Sequence, residues 1–153
     1  MNLTKNFSLI ELTSSETAVR KGIDNTPSQE VVNNLKYLCE NVMQPLRDWY
    51  GKPINITSGY RSPKLNKAIG GSTTSDHCLG CAIDFTLPKE DYKEVFEYIK
   101  ANLPHDQIIN EFNFQWIHVS FRSSGNRKQS LAAYKNAIGQ TKYKPYWDSN
   151  WGY

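Results

Sequence analysis

At 153 residues the chain has the usual length of one domain and is too short for two independent cores, so residues 1–153 are read as a single domain. Its composition is 39% hydrophobic, 12% aromatic and 22% charged, which excludes a disordered or collagen-like chain. Eighteen Lys and Arg against fifteen Asp and Glu leave a net charge of +3, too slight an excess to mark a nucleic-acid surface. No apolar run reaches the roughly 18 residues of a membrane-spanning helix.

The opening MNLTKNFSLIEL lacks the apolar run of a signal peptide. Synthesis in the cytosol is expected, with a separate means of release if the protein acts outside. Ser8-Leu-Ile-Glu11 has the form of a capping box and opens a first helical turn. A second short helix follows Ser14 or Ser15 and stops near Gly22, and Asn25-Thr-Pro27-Ser28 is turn and cap material. From Ser28 to Trp49 the apolar residues fall at three- and four-residue steps (Val31, Val32, Leu35, Leu38, Cys39, Val42, Leu46, Trp49), which predicts the longest amphipathic helix. Pro45 is placed to kink it, and Gly51 and Pro53 end it.

Ile54 to Thr57 reads as a strand, Ser62-Pro63 opens a brief helix to about Ile69, and residues 70–75 form a polar loop. Cys81 to Thr86 reads as a strand, and Asp91 to Leu103 as a second clear helix. Gln107–Phe112 and Gln115–Phe121 form a hairpin around Asn113-Phe114. The tail from about residue 123 is polar and then aromatic (Tyr143, Tyr146, Trp147, Trp151, Tyr153), and it stays unassigned. The expected class is α+β, a small antiparallel sheet with helices packed against it.

Three cysteines argue against a disulfide framework. Cys39 lies on the apolar helical stripe and reads as a core residue. Cys78-Leu-Gly-Cys81 has no second pair to complete a structural zinc site. The chemistry points elsewhere. Asp84 sits inside the apolar strand Ala82-Ile-Asp-Phe-Thr86, and His118 inside Trp116-Ile-His-Val-Ser-Phe121. Both burials are unfavourable unless the groups are paired. One zinc ion held by His77, Asp84 and His118 resolves both, leaving a fourth position open. The simpler readings are a hydrogen-bonded core histidine, a turn-capping aspartate and a loop histidine.

Ser58-Gly-Tyr-Arg61-Ser62, then Ser75-x-His77-x-x-Gly80-x-Ala82-x-Asp84, then Trp116-x-His118 resembles the zinc D-Ala-D-Ala carboxypeptidases of peptidase family M15, most of all their phage and prophage branch. The resemblance begins at Asn6-Phe-Ser-Leu-x-Glu11, runs through Gly22-Ile-Asp-Asn-Thr-Pro27 and Gln44-Pro-Leu-Arg47, and fades after about Arg122. It implies a Hedgehog/D-Ala-D-Ala-peptidase-like fold and one zinc per chain, with His77, Asp84 and His118 at the ligand positions. Arg61 matches the arginine that stabilises the developing oxyanion or holds a substrate carboxylate. Ser75 matches the motif serine, which either bonds near the ligands or shapes the loop. Gly80 permits a tight backbone path, while Trp116 and Tyr60 line the substrate groove or pack in the core.

One position departs from the family pattern. Many members carry an acid three residues before the last ligand, where this chain has Gln115, which cannot accept a proton. Glu111, Asp106 and Asp76 are the candidate bases. A hairpin turning on Asn113-Phe114 pairs Glu111 with Trp116 and Ile109 with His118, which puts Glu111 and His118 on one face as diagonal neighbours. A one-residue change of loop length reverses this.

The resemblance thus implies a zinc peptidase acting on peptidoglycan stem peptides, as a D-Ala-D-Ala carboxypeptidase or an endopeptidase, and a monomer is expected. Neither nucleic acid nor membrane is expected as a partner. A phage lysis role is implied, with cytosolic synthesis and release to the wall through a holin-type pore. The alternative, raised by Gln115, is a catalytically silent zinc-containing module, for instance of a virion.

Overall fold

The computed structural model describes residues 1–146; Trp147, Trp151 and Tyr153 of the aromatic tail lie outside them. A two-stranded ribbon of β1 (Asn2–Thr4) and β2 (Phe7–Ser8) leads into α1 (Leu9–Thr13) and α2 (Glu16–Lys21). Both helices start on a serine whose hydroxyl accepts a backbone N–H three residues on: Ser8 from Glu11 and Ser15 from Ala18, which satisfies one otherwise orphaned donor. Gly22 ends α2 in the left-handed conformation (φ 64°).

The long amphipathic segment is three pieces rather than one α-helix. Ser28 caps α3 (Gln29–Leu38), a π-helical turn occupies Cys39–Met43, and α4 (Gln44–Tyr50) completes it. Pro45 explains the interruption. It has no N–H to donate, and the chain answers with a wide turn in which the Gln44 N–H bonds back to the Cys39 carbonyl. The apolar stripe stays buried through the change of pitch: Leu35, Leu38, Cys39, Val42, Met43 and Leu46 are all inaccessible.

The main sheet corrects the sequence-based expectation of a small antiparallel one. It has six strands in the order β3-β4-β6-β5-β7-β8 and is mixed, because β5 and β7 run parallel. The strands are β3 (Asn55–Ser58), β4 (Ala82–Thr86), β5 (Gln107–Glu111), β6 (Trp116–Ser120), β7 (Gln129–Lys135) and β8 (Thr141–Pro145). The unassigned tail therefore supplies two strands. Gln129–Lys135 carries a weak strand signal because its centre is Ala132-Ala133, and Thr141–Pro145 is an exposed edge strand with two lysines, a composition that discourages pairing with another chain. Asn136 shapes the turn between them, its side-chain oxygen accepting from the N–H groups of Ile138 and Gln140.

Two further helices, α5 (Pro63–Ala68) and α6 (Tyr92–Asn102), complete the α+β arrangement. One sheet face is the core face, where Ile83, Phe85, Ile108, Ile117 and Val119 are fully buried and belong to one apolar cluster with α3, α4 and α6. Tyr146, just past β8, joins that cluster through Phe96 at 4.2 Å between ring centroids. The residues between them in sequence point to the opposite face, as the period of two requires. Among the described residues no helix is long and apolar enough to cross a membrane.

The third histidine belongs to this framework. His105 is 1% exposed, its Nδ1 2.8 Å from the Leu103 carbonyl, and burial holds its pKa below the ordinary value. The folded state therefore favours neutral imidazole. This contribution is complete above the unfolded pKa of about 6.5 and is lost as pH falls below it, at up to about 1.4 kcal/mol per pH unit. His105→Gln is expected to flatten the stability–pH profile below about pH 6.5 in chemical denaturation; parallel profiles for the two proteins would show that His105 does not titrate on unfolding.

Candidate active site

The face of the sheet away from the helices forms the floor of a cleft of about 740 Å³, a size that takes a peptide of a few residues. Strand register determines what stands on it. Asp84 of β4 pairs directly with His118 of β6, and His118 pairs with Ile109 of β5. In the neighbouring row, Trp116, Glu111, Ala133 and Tyr143 follow one another across β6, β5, β7 and β8.

His77 comes to this face from a 3-10 turn, Asp76–Leu79. Ser75 caps the turn, its hydroxyl accepting from the His77 N–H at 3.2 Å. Gly80 ends it at φ 72°, where a Cβ would stand 2.8 Å from the Val31 carbonyl oxygen, so glycine is required both for conformation and for space. The His77 ring lies with Nδ1 2.7 Å from the Gly59 carbonyl oxygen. That contact makes Nδ1 the protonated nitrogen and leaves Nε2 facing Asp84. Gly59 is itself needed, because a Cβ there would lie 2.2 Å from the Leu12 carbonyl oxygen. The Asn25 side chain clasps the same turn, donating to the Thr13 and Tyr60 carbonyls and accepting from the Ser62 N–H. Gly59 and Asn25 both stand in segments that carry the family resemblance, which gave them no role of their own; here they fix where His77 and Arg61 sit.

Three donor atoms converge. His77 Nε2 lies 3.3 Å from Asp84 Oδ2, and His118 Nδ1 lies 2.9 Å from Asp84 Oδ1. His77, Asp84 and His118 form the one group of potential metal-binding side chains among the described residues, and neither Cys78 nor Cys81 takes part. Burial by itself would raise the Asp84 carboxyl, but the two imidazoles outweigh it and hold the group well below the usual carboxylate range. Burial opposes charging His118, and the hydrogen bond and charge of Asp84 overcome this and raise its pKa. The pair behaves as an ion pair when no cation is present.

Glu111 stands beside the cluster and is 7% exposed. Burial pushes its carboxyl up to about 7, with His118 pulling it down and Asp84 adding to the rise. The other acids are engaged. Asp76 is ion-paired with Arg122. Asp106 is 1% exposed and grips Arg127 with both oxygens, at 3.0 and 2.8 Å, which lowers its pKa. Gln115 is exposed in the hairpin turn, where its carbonyl accepts from the Tyr92 hydroxyl at 3.3 Å. The turn itself is strained: Phe112, Asn113 and Phe114 all have positive φ, between 53° and 59°. Asn110 holds it, its side-chain oxygen accepting from the Phe114 N–H at 2.6 Å. Strain of this kind costs about 1 kcal/mol or more per residue and persists only where surroundings enforce it.

Arg61 lines the same cleft. Its backbone N–H bonds to the His77 carbonyl at 3.1 Å and its Nη2 donates to the Ser75 hydroxyl at 3.3 Å. Ser75 thus shapes the loop and also steadies the guanidinium. Burial lowers the Arg61 pKa while Asp84 opposes the shift, and Nε is buried with no partner among the described residues. Trp116 lines the cleft next to Phe112, at 5.5 Å between rings. Tyr60 is buried in the apolar cluster instead.

The family model described as Peptidase M15 matches residues 5–120, about three quarters of the 153-residue chain. The chain belongs to the peptidase M15 family. No curated protein matches it. Peptidases of family M15 are generally zinc-dependent, and the residues here suit that ion: two imidazoles and a carboxylate are standard zinc ligands, and ligands about 2.0–2.1 Å from a tetrahedral ion stand roughly 3.3 Å apart, close to the spacing of these donors. The match of the M15 chain to its family ends two residues after His118, so β7 and β8, which form one wall of the cleft, lie beyond it.

Proposed function

We propose that the chain is a zinc-dependent peptidase that hydrolyses amide bonds in peptidoglycan stem peptides, with one zinc ion held by His77, Asp84 and His118. The observation that carries this reading is the buried Glu111 carboxyl standing beside the His–Asp–His cluster on one sheet face, inside the segment that matches the family. A zinc ion at that cluster would supply Lewis-acid polarisation of a carbonyl and acidification of water.

The chain's own residues do the rest. Glu111 accepts a proton from the attacking water and passes it to the leaving amine, a role that suits a carboxyl whose pKa lies near neutrality. Arg61, held by Ser75, directs its guanidinium at the negative charge that develops on the scissile carbonyl or at a substrate carboxylate. Trp116 and the apolar residues of the cleft seat the peptide. Glu111 also favours hydrolysis over the silent module that Gln115 suggested, since the base need not come from that position. The same reading carries the Hedgehog/D-Ala-D-Ala-peptidase-like fold, a monomer, and a place in phage lysis after release to the wall. Carboxypeptidase and endopeptidase action are two forms of it.

Purified peptidoglycan incubated with the protein and followed by mass spectrometry tests the proposal. Expected are newly hydrolysed muropeptides that vanish when a zinc chelator is added, and the fragments identify the bond cut. Unchanged peptidoglycan after incubation with folded, zinc-loaded protein would overturn it in favour of the silent module.

A further inference from the structure

The β7–β8 hairpin lies beyond the family match yet walls the cleft. Leu131, Ala133 and Lys135 alternate on the cleft face of β7, opposite Pro145, Tyr143 and Thr141 of β8. Ala133, fully buried, stands between Glu111 and Tyr143 in the row that links the cluster's strands to the hairpin.

Lys135 lines the same cleft, exposed but tethered. Its ammonium donates to the Thr141 hydroxyl at 2.7 Å and lies 5.3 Å from the centroid of the Phe112 ring. An ammonium has three donors, and Thr141 takes one. Among the described residues no carboxylate forms an ion pair with it: of the cleft's acids, Asp76 pairs with Arg122 and Asp84 with the two histidines, and Glu111 stands beside the cluster. A positioned cation with spare donors at the end of a peptide-sized cleft is built to receive an anion.

We infer that Lys135 is a specificity-determining residue that binds a free carboxylate of the substrate. The inference rests on the peptidase reading above. Its geometry says where the carboxylate lies. β7 is two strands from β6, and Lys135 is four residues along from Leu131, which shares the His118 row. Two strand spacings across and four residues along put the Lys135 backbone roughly 16 Å from that of His118, and the bond to Thr141 keeps the ammonium on the β8 side, about five residues of extended peptide from the cluster. Arg61 follows β3 and stands on the far side of β4 and β6, so the two cations flank the cluster and each meets a different part of the substrate.

The test is equilibrium binding to the zinc-loaded full chain carrying Glu111→Gln, which suppresses turnover. The probes are a synthetic stem pentapeptide with free carboxylates and the same peptide with its carboxylates amidated. The free form is expected to bind about tenfold more tightly; Lys135→Met cuts the preference to whatever Arg61 supplies, and Lys135→Arg keeps most of it. A preference undiminished in Lys135→Met, or none in the parent protein, overturns the inference alone. Binding of neither peptide overturns both the inference and the stem-peptide reading.

Discussion

Glu111→Gln is expected to reduce kcat by about 10²- to 10⁴-fold while zinc still binds, its affinity weakened only by loss of the neighbouring charge. The substitution keeps the shape of the side chain and removes its capacity to accept a proton, and Glu111 is not one of the three converging donors. A second effect has the opposite sign. A carboxyl whose folded pKa is raised to about 7 from 4.5 disfavours the folded state as pH rises above 4.5, with the full penalty reached above 7. At about 1.36 kcal/mol per pKa unit the penalty is on the order of 3 kcal/mol. Glu111→Gln is therefore expected to unfold at a higher temperature than the parent at pH 8 in the absence of metal. At pH 4, where Glu111 is protonated in both states, the two should match. Unimpaired cleavage by the variant would remove Glu111 from the mechanism, whatever its stability.

The same group sets an acid limb. Glu111 works as a base only when ionised, so kcat/KM is expected to fall as pH drops through its pKa. A cation on the neighbouring ligands favours the carboxylate, and the limb should therefore lie below the value of about 7 that burial produces without metal.

Removal of the metal carries the other large effect. Chelation is expected to abolish turnover, and zinc is expected to restore it. Zinc at a thousand times its Kd stabilises the folded state by about 4 kcal/mol, a rise in Tm of roughly 8–16 °C for a chain of this length. Zinc must also displace a proton, because Asp84 raises the His118 pKa and only neutral imidazole binds the ion. The apparent affinity should weaken as pH falls through the His118 pKa. Asp84→Asn removes the charge that joins the two histidines, and the variant is expected to lose both the zinc-induced rise in Tm and the activity. Calorimetry with zinc decides this, and parent-like affinity in Asp84→Asn would show that the ion sits elsewhere.

The site is legible in the sequence to an uneven degree. Asp84 and His118 each sit among apolar neighbours whose alternation shows which side faces the core, and pairing in steps of two carries that to the partner strand. The register of Glu111 with Trp116 and Ile109 with His118 followed from the position of one four-residue turn, because that turn counts residues between strands. Capping serines at Ser8, Ser15, Ser28 and Ser62 were visible for the same reason: their bonds span three residues. The fate of Asp106, bound to Arg127 twenty-one residues away, had no local sign.

Helix starts, the polarity of each strand, the hairpin register and the motif that brings His77, Asp84 and His118 into one family pattern are all legible in the order of residues. All but the motif depend on bonds or spacings within a few residues; the motif spans distant segments and is legible only as a family pattern. Tertiary structure alone decided that β7 runs parallel to β5, that Lys135 and Tyr143 wall the cleft, that Asp76 and Asp106 are occupied by arginines, and that the Glu111 carboxyl lies near neutrality. Those outcomes depend on which distant segment covers a group and excludes water from it, and no local pattern of residues encodes that.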